Sequence, residues 1–383
     1  MKVPATRLGV LGGGQLGKMM ALSAANWHLP FFALDASRSF PAAPYCTDFT
    51  EGNFNDYEDV LRFGKTVDAL TIEIEHVNID ALLQLESEGI IVHPRPAALQ
   101  IIKDKGLQKQ FYEAQGLASA PFQLFENETE VRAACAQKKL ALPFVQKSRT
   151  DGYDGRGVAI IRSEQDLNEK LLPGACLAED LIPIEKEIAV VVARNAQGAI
   201  VAYPPVEMLF DPEANLVTFL ACPANISAEL AAAAENIAKA TIEAYNICGL
   251  LAVELFLTKA GQLLLNEVAP RPHNSGHHTI ESCYTSQFEQ HIRGVLGLPL
   301  GSTRLKTPAA VMLNLLGEPG YEGPAQYENM ETCLGMEGVY VHLYGKAIIK
   351  PFRKMGHVTV IGNSPEAAME KALEVRRLLR VIA

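Results

Sequence analysis

The chain has 383 residues, 48% of them hydrophobic and 20% charged, and a formal net charge of -10. That length and apolar content suffice for two or three packed domains, and the acidic balance speaks against a general polyanion-binding surface, so nucleic acid is not an expected partner. Seven cysteines without a C-x-x-C pair argue against a disulfide framework or zinc site, no run reaches the ~18 apolar residues of a membrane span, and Met1–Leu11 lacks a secretory core, so a cytoplasmic protein without a membrane partner is expected.

In chain order, Leu8–Leu11, Phe31–Leu34, Ala69–Ile74 and Ile90–Val92 read as strands, with helices at Leu16–Ala25 and Ile79–Leu85. Alternation of this kind predicts a parallel sheet wound with helices. Pro94 and Pro96 punctuate the chain, and Leu99–Gln115 reads as one helix stopped by Gly116. Strands and helices alternate again from Pro121 to about Arg194, interrupted by the polar, glycine-rich stretch Ser148–Gly157. The alanine-rich run Ala228–Tyr245 predicts a helix, Leu250–Leu257 and Gln262–Val268 predict paired strands around a turn at Lys259–Gly261, and Glu366–Leu379 predicts a terminal helix.

Gly12, Gly14 and Gly17 follow a strand and precede a helix, with Asp35 closing the next strand. Alone this spells a dinucleotide-binding turn; a Walker A reading fails because Met19 stands where Ser or Thr is needed. What both share is narrower: a glycine turn and helix N-terminus facing an anion, foremost a phosphate. A tight turn without ligand, and Lys18 as a plain surface charge, are the bland alternatives.

Further along, Glu254 sits amid Ala252–Leu255, and Asn266 and Glu267 sit amid Leu264–Val268. Across a hairpin the two carboxylates would oppose each other, a costly arrangement unless paired or metal-bound, and with the amide oxygen they form hard donors suited to magnesium beside nucleotide phosphates. The proline-bounded stretch 269–277 then offers Arg271 for a transferring phosphoryl group. Upstream, Lys147 ends a strand before Gly152, Gly155 and Gly157, a combination expected of a phosphate-contacting lysine and a lid.

Taken together, Gly12–Met19 (GGGQLGKM), Thr71–Val77 (TIEIEHV), Gly152–Gly157 (GYDGRG), Asn266–His277 (NEVAPRPHNSGH) and Tyr344–His357 (YGKAIIKPFRKMGH) resemble the ATP-grasp superfamily and, within it, the N5-carboxyaminoimidazole ribonucleotide synthetases. The resemblance runs over nearly the whole chain. It implies an α/β ATP-grasp fold in three parts: a Rossmann-like domain at 1–100, an ATP-grasp domain with a lid at 101–298, and a small C-terminal α/β domain at 299–383. It further implies a homodimer, ATP and Mg2+, and a reaction in which bicarbonate, phosphorylated to carboxyphosphate, carboxylates 5-aminoimidazole ribonucleotide.

Carried over by position, the resemblance assigns Lys147 to ATP phosphates, Lys105 to ATP binding, Glu179, Asp180, Leu181 and Ile182 to adenine, Glu187 to ribose, and Glu254 and Glu267 to the metal with Asn266 beside them. Gly152, Tyr153, Asp154, Gly155, Arg156 and Gly157 become the lid. Tyr153, Asp154 and Arg156, with Arg271, His273 and Asn274, surround carboxyphosphate and the aminoimidazole. Gly14, Gln15, Leu16, Glu73, Lys346, Arg353 and Lys354 hold the ribonucleotide. The rivals are a formate-using glycinamide ribonucleotide transformylase, a nicotinamide-dependent dehydrogenase based on Gly12–Gly17 and Asp35, and a nucleotide-binding module without turnover.

Overall fold

The computed structural model describes residues 5–150, 157–210 and 217–383. Its first unit is a parallel sheet of β1 (Leu8–Leu11), β2 (Phe31–Asp35), β3 (Asp48–Glu51), β4 (Ala69–Ile72) and β5 (Ile91–Val92), in the order β3-β2-β1-β4-β5. Helices α1 (Gln15–Ala25), α2 (Tyr57–Gly64) and α3 (Ile79–Ser87) wind it. Strands β1 and β4 are buried throughout, as expected of parallel strands covered on both faces. In this order the chain reverses direction at β1, so the ends of β1 and β4 flank the crevice where such sheets take ligands. Three elements escaped the sequence reading: β3, of whose residues Phe49 alone is buried, the 3-10 turn Ala43–Tyr45, and α2, a short helix capped by Asp56.

The expected helix 99–115 is instead two, α4 (Pro96–Ile102) and α5 (Lys105–Ala114). Asp104 divides them because its carboxylate accepts hydrogen bonds from the N–H groups of Gly106 (2.7 Å) and Leu107 (3.1 Å), a side-chain cap that starts a new helix. A four-stranded antiparallel sheet follows, β6 (Phe122–Phe125), β7 (Phe144–Ser148), β8 (Val158–Ile161) and β9 (Cys176–Asp180) in the order β6-β9-β7-β8, covered by α6 (Glu128–Ala136) and α7 (Glu164–Glu169).

From β9 the chain passes through residues 181–183 into β10 (Ile184–Arg194), the start of a nine-stranded sheet. Its other members are β11 (Ile200–Ala202), β12 (Val206–Phe210), β13 (Val217–Cys222), β14 (Gly249–Thr258), β15 (Leu263–Ala269) and β16 (Ala309–Leu316), then β19 (Val339–Leu343) and β21 (Lys354–Gly362). Between them come the short pieces β17 (Gly323–Pro324), β18 (Gln326–Glu328) and β20 (Ile348–Ile349), and β22 (Arg380–Ile382) closes the chain. Helix α8 (Ala228–Ala244) packs on β10 and β14, α9 (Thr279–Ser282) and α10 (Gln287–Val295) follow the hairpin, and α11 (Met330–Leu334) and α12 (Pro365–Leu378) belong to the C-terminal part. The antiparallel pairing of β13 with β16 carries the sheet across position 299, so the C-terminal segment extends the central sheet.

Side chains lock the units together. Lys18 of α1 donates to the Leu343 carbonyl at 2.8 Å, so it is a tie to the C-terminal part and no plain surface charge. His291 of α10, fully buried, accepts the Leu250 N–H on Nδ1 (3.1 Å) and lies 2.8 Å from Thr71 Oγ1 through Nε2, joining β14 to β4. With Nδ1 accepting, the ring is the neutral Nε2–H form.

Burial, with His93 nearby, pushes the pKa of His291 down from 6.5 to about 3. The unfolded ring takes up a proton as pH falls below about 6.5 and the folded ring does not until near the lower value, so the stabilisation is whole above pH 6.5 and is lost as pH falls from there. Denaturant unfolding should show stability falling on acidification from pH 7 to 4, and His291→Gln should reduce that slope by roughly 1.4 kcal/mol per pH unit, the worth of one proton. An unchanged slope would show that His291 is not held neutral.

Candidate active site

The acidic strands carry the site. Glu254 on β14 pairs with Glu267 on β15, and the register slips at that point, because Leu255 faces Leu265 and Asn266 is the extra residue. Consecutive residues on a regular strand point to opposite faces; a bulge re-aims one of them. Asn266 and Glu267 consequently serve one site: Asn266 Oδ1 accepts from Lys147 Nζ at 2.9 Å, and Glu267 Oε2 is paired with Lys105 Nζ. Glu187 on β10 faces Phe256 across the ladder and Glu254 faces Ala189, which puts Glu187 and Glu254 on the same side of the sheet.

Burial and then the neighbouring charges of Glu267 and Glu187 raise the pKa of Glu254 well above the carboxylate range. Burial works against Glu267 as well, but Lys105 outweighs it and holds that carboxyl low, while Glu267 and Glu254 raise the pKa of Lys105 against its own burial. The pair therefore shares a like-charge conflict relieved on one side only.

Cations reach this face from the smaller sheet. Glu179 on β9 lies between Lys147 of β7 (2.8 Å) and Lys109 of α5 (3.1 Å), all three side chains nearly buried at 5%, 12% and 3% exposure. Glu179's carboxyl is held below its usual range because Lys147 and Lys109 overcome the effect of burial. Asp180 ends β9, and residues 181–182 form the connection into β10, with Ile184 N–H donating to the Ile182 carbonyl at 2.9 Å, so Glu179–Ile182 lines the junction between the two sheets. Flanking the glycine-rich stretch, Ser148 N–H donates to the Gly157 carbonyl (2.9 Å), and Arg149 forks onto Asp104 with Nε and Nη2 (2.9 and 2.6 Å). Asp104 thus caps the helix that Lys105 begins and holds Arg149 beside it, a link the sequence reading missed because the two residues are 45 positions apart. Gly152, Tyr153, Asp154, Gly155 and Arg156 lie outside the described residues.

After β15, Arg271 forms an ion pair with Glu75 (2.9 Å), reaching the segment after β4. His273 Nε2 stands 3.6 Å from Glu254 Oε1, and Asn274 opens a 3-10 turn, Asn274–Gly276. His273 is thereby brought to the acidic pair, while Arg271 turns to Glu75 and lends its charge to Glu73.

The glycine turn holds an anion, but it is the chain's own. Glu73, from the end of β4, accepts the N–H groups of Gly14 and Gly17, and Asp35 Oδ2 accepts that of Gly13 at 2.7 Å. Gly12 has φ +106°, and a Cβ there or on Gly14 would overlap the Glu73 side chain. Gln15 and Leu16 open α1 beside this cradle. Burial raises Glu73 to about 6 although the two backbone donors pull it down. With Asp35 buried and engaged at Gly13, the dehydrogenase reading loses its ribose-binding acid.

Lys346 and Arg353 donate to backbone carbonyls, Lys346 to Lys354 (2.8 Å) and Arg353 to Ile348 (2.6 Å), so Lys346 and Lys354 are neighbours in space. Arg353 N–H donates to the Lys350 carbonyl at 3.0 Å across a turn with Pro351 first and Phe352 second, and Phe352 has φ +63°. A turn of this type requires φ above zero at that place, which glycine takes without strain and Phe does not.

Comparison with known proteins decides the family. Residues 5–103 match the ribonucleotide synthetase preATP-grasp domain, 110–288 the ATP-grasp domain, and 310–371 the phosphoribosylaminoimidazole carboxylase C-terminal domain. The N5-carboxyaminoimidazole ribonucleotide synthase of Bacillus subtilis is 35% identical over 367 residues, covering 95% of this chain and 93% of that one. The chain belongs to the N5-carboxyaminoimidazole ribonucleotide synthase family. It is also 41% identical over 364 residues to the chloroplastic phosphoribosylaminoimidazole carboxylase of Vigna aconitifolia, covering 93% of this chain but 64% of that one, so the chain spans about two thirds of the length of such relatives. The crystal structure of the synthetase from Thermotoga maritima superposes with TM-score 0.90 at 41% identity over 99% of both chains. A synthase of this family from Aspergillus clavatus, in complex with ADP and 5-aminoimidazole ribonucleotide, superposes with TM-score 0.88 at 31% identity over 98% of this chain and 100% of that one.

The fold is the α/β ATP-grasp fold of that family, with its preATP-grasp unit at the N-terminus. Lys109 is the synthase-fold residue that the sequence reading missed: it sits inside α5, where its charge reads as a solvated helix face, yet it is buried against Glu179. Removing Glu179's charge strands two buried ammonium groups. Glu179→Gln should lower unfolding stability by about 3–5 kcal/mol, whereas the volume-matched double change Glu179→Leu with Lys109→Met should lose less. Equal losses in urea titrations would contradict the buried triad.

Proposed function

We propose that this chain is an ATP-dependent ligase that carboxylates 5-aminoimidazole ribonucleotide with bicarbonate, giving N5-carboxyaminoimidazole ribonucleotide, ADP and phosphate in purine biosynthesis. The observation that carries the reading is the bulged hairpin, which gathers Glu254, Asn266 and Glu267 under Lys105 and Lys147 on one face. Family membership supplies the acceptor: the Aspergillus clavatus relative was solved with ADP and this ribonucleotide.

A bicarbonate oxygen attacks the γ-phosphorus, ADP leaves, and the carboxyphosphate so formed yields its carboxyl group to the exocyclic amine while phosphate departs with the attacking oxygen. Such transfers between oxygens need positioned charge more than covalent help from the protein. Lys105 and Lys147 hold the phosphates, Glu179–Ile182 lines the adenine side, and Glu187 the ribose. Arg271, His273 and Asn274, with Tyr153, Asp154 and Arg156 of the segment Gly152–Gly157, enclose the acyl phosphate and exclude water from it. Gly14, Gln15, Leu16 and Glu73 face the ribonucleotide, and Lys346, Arg353 and Lys354 its phosphate.

The residues fit a divalent cation. Glu254 and Glu267 are hard oxygen donors whose like-charge conflict Lys105 and Lys147 relieve in part, leaving Glu254 raised, and Asn266 adds an amide oxygen beside them. Magnesium bound there would neutralise charge on the transferring phosphoryl group. The same proposal divides the chain at 1–100, 101–298 and 299–383 and makes it a cytoplasmic homodimer. All seven cysteines are free thiols, as reducing surroundings would keep them, and no helix among the described residues is long and apolar enough to cross a membrane.

Purified protein with magnesium, ATP and bicarbonate should release ADP slowly and be strongly stimulated by 5-aminoimidazole ribonucleotide. No stimulation in folded, ATP-binding protein would overturn the acceptor, and turnover with formate and glycinamide ribonucleotide would name the rival. Glu267→Gln should cut stimulated turnover by at least about 100-fold while the folded state persists, the size expected when transition-state charge is left uncompensated. Near-normal turnover would remove Glu267 from the metal site.

A further inference from the structure

Helix α10 buries three polar side chains, Gln287, Gln290 and His291, each with no exposed surface. Polar groups so placed are costly unless hydrogen-bonded, and all three are. Gln290 grips Gly301 by both backbone groups, accepting its N–H at 2.9 Å and donating to its carbonyl at 3.0 Å. Gln287 repeats that grip on the catalytic loop. Its Oε1 accepts the His273 N–H at 2.9 Å, and its Nε2 donates to the His273 carbonyl at 2.7 Å. Nε2 also lies 3.0 Å from His277 Nδ1, and the Gln287 N–H donates to Thr279 Oγ1 at 2.8 Å. A Cβ on Gly276 would overlap the carboxamide, so the loop passes Gln287 only with glycine there.

A side-chain amide with both hydrogens and its oxygen committed has one orientation, and it fixes what it touches. The second Nε2 hydrogen requires His277 Nδ1 to accept, which sets that ring as the neutral Nε2–H form. His277 in turn packs on His357 at 4.7 Å and on Phe288 at 5.7 Å between ring centroids. At His273 the main chain is held at both polar groups, and the imidazole accepts the Ser275 N–H on Nδ1 at 3.3 Å, so its Nε2 faces Glu254.

We propose that Gln287 is a positioning residue for the carboxylation: by clamping the backbone of His273 and the neutral ring of His277, it sets the His273 imidazole against Glu254. The inference rests on the function proposed above, since it assigns His273 to the acyl-phosphate side of the site. It does not make Gln287 a catalytic residue, because its carboxamide is buried behind the loop.

Two substitutions test it. Gln287→Glu keeps length and the accepting oxygen but sets a second oxygen against two acceptors, His273 O and His277 Nδ1; Gln287→Leu removes every hydrogen bond. In both folded variants KM for ATP should stay within about twofold, while kcat for ribonucleotide-stimulated ADP release should fall by about 100-fold, the size of effect expected of an ångström-scale misplacement. Lowering pH from 8 to 6 should restore activity of Gln287→Glu relative to wild type, because a protonated carboxyl again donates to the His273 carbonyl, and should not restore Gln287→Leu. Imidazole 15N spectra should show His277 losing its single tautomer in Gln287→Leu. Either variant with kcat within about threefold of wild type, equal recovery of both on acidification, or an unchanged His277 tautomer would overturn the inference. If Gln287→Leu does not fold, the pH profile of Gln287→Glu decides. Wild-type protein without ribonucleotide stimulation would instead sink the proposed function, and the imidazole spectra would then decide the clamp by themselves.

Discussion

Two carboxylates on one buried face, Glu254 and Glu267, set the terms for everything around them. Left alone they would repel each other and each would resist desolvation. The fold answers with Lys105 on Glu267, and with Lys147 reaching Asn266 from the other sheet. Each lysine needs its own compensation, which is why Glu179 sits between Lys147 and Lys109 and why Asp104 and Arg149 hold the helix that Lys105 begins. A strand bulge of one residue makes this possible, since without it Asn266 and Glu267 would face opposite sides of the sheet.

The remaining units are fastened so that this face stays in register with its neighbours. Helix α10 holds the loop after β15 through Gln287, the N-terminal sheet through His291, and the segment leading into the C-terminal part through Gln290. Lys18 ties α1 to β19, and Arg271 reaches Glu75 beyond β4. Polar ties of this kind have direction, so they specify how units meet, whereas the apolar clusters beneath them only require that they meet. The glycine turn follows the same logic: its N–H groups are answered by Glu73 and Asp35, which fix the turn at the crevice end of the first sheet.

Much of this was legible in the residues. Apolar runs bounded by glycine and proline located β1, β2, β4 and the hairpin β14–β15, and an alanine-rich run without breakers located α8, because local pattern and burial agree there. The opposition of Glu254 and Glu267 followed from the turn at Lys259–Gly261. The bulge did not, because the extra residue is defined only by the partner strand. Asp104 divides one expected helix in two through a local cap, but its hold on Arg149, and the burial of Lys109 on what reads as a polar helix face, involve charges more than thirty positions away. The glycine turn was read for its chemistry, an anion at a helix N-terminus, but sequence gave no means of seeing that the anion comes from residue 73. The residues 151–156 lie outside the described structure, and their part as a lid rests on the family resemblance.

In the proposed reaction this face makes an acyl phosphate from bicarbonate. Transfer of 18O tests it most directly: with 18O-labelled bicarbonate, magnesium, ATP and 5-aminoimidazole ribonucleotide, mass analysis of the inorganic phosphate released early in turnover reads the origin of its new oxygen. One labelled oxygen per phosphate is the predicted result, since the bicarbonate oxygen that attacks the γ-phosphorus stays with phosphate when the carboxyl group moves on. Phosphate carrying its new oxygen from water would mean that the site hydrolyses ATP without activating bicarbonate, and would contradict the account.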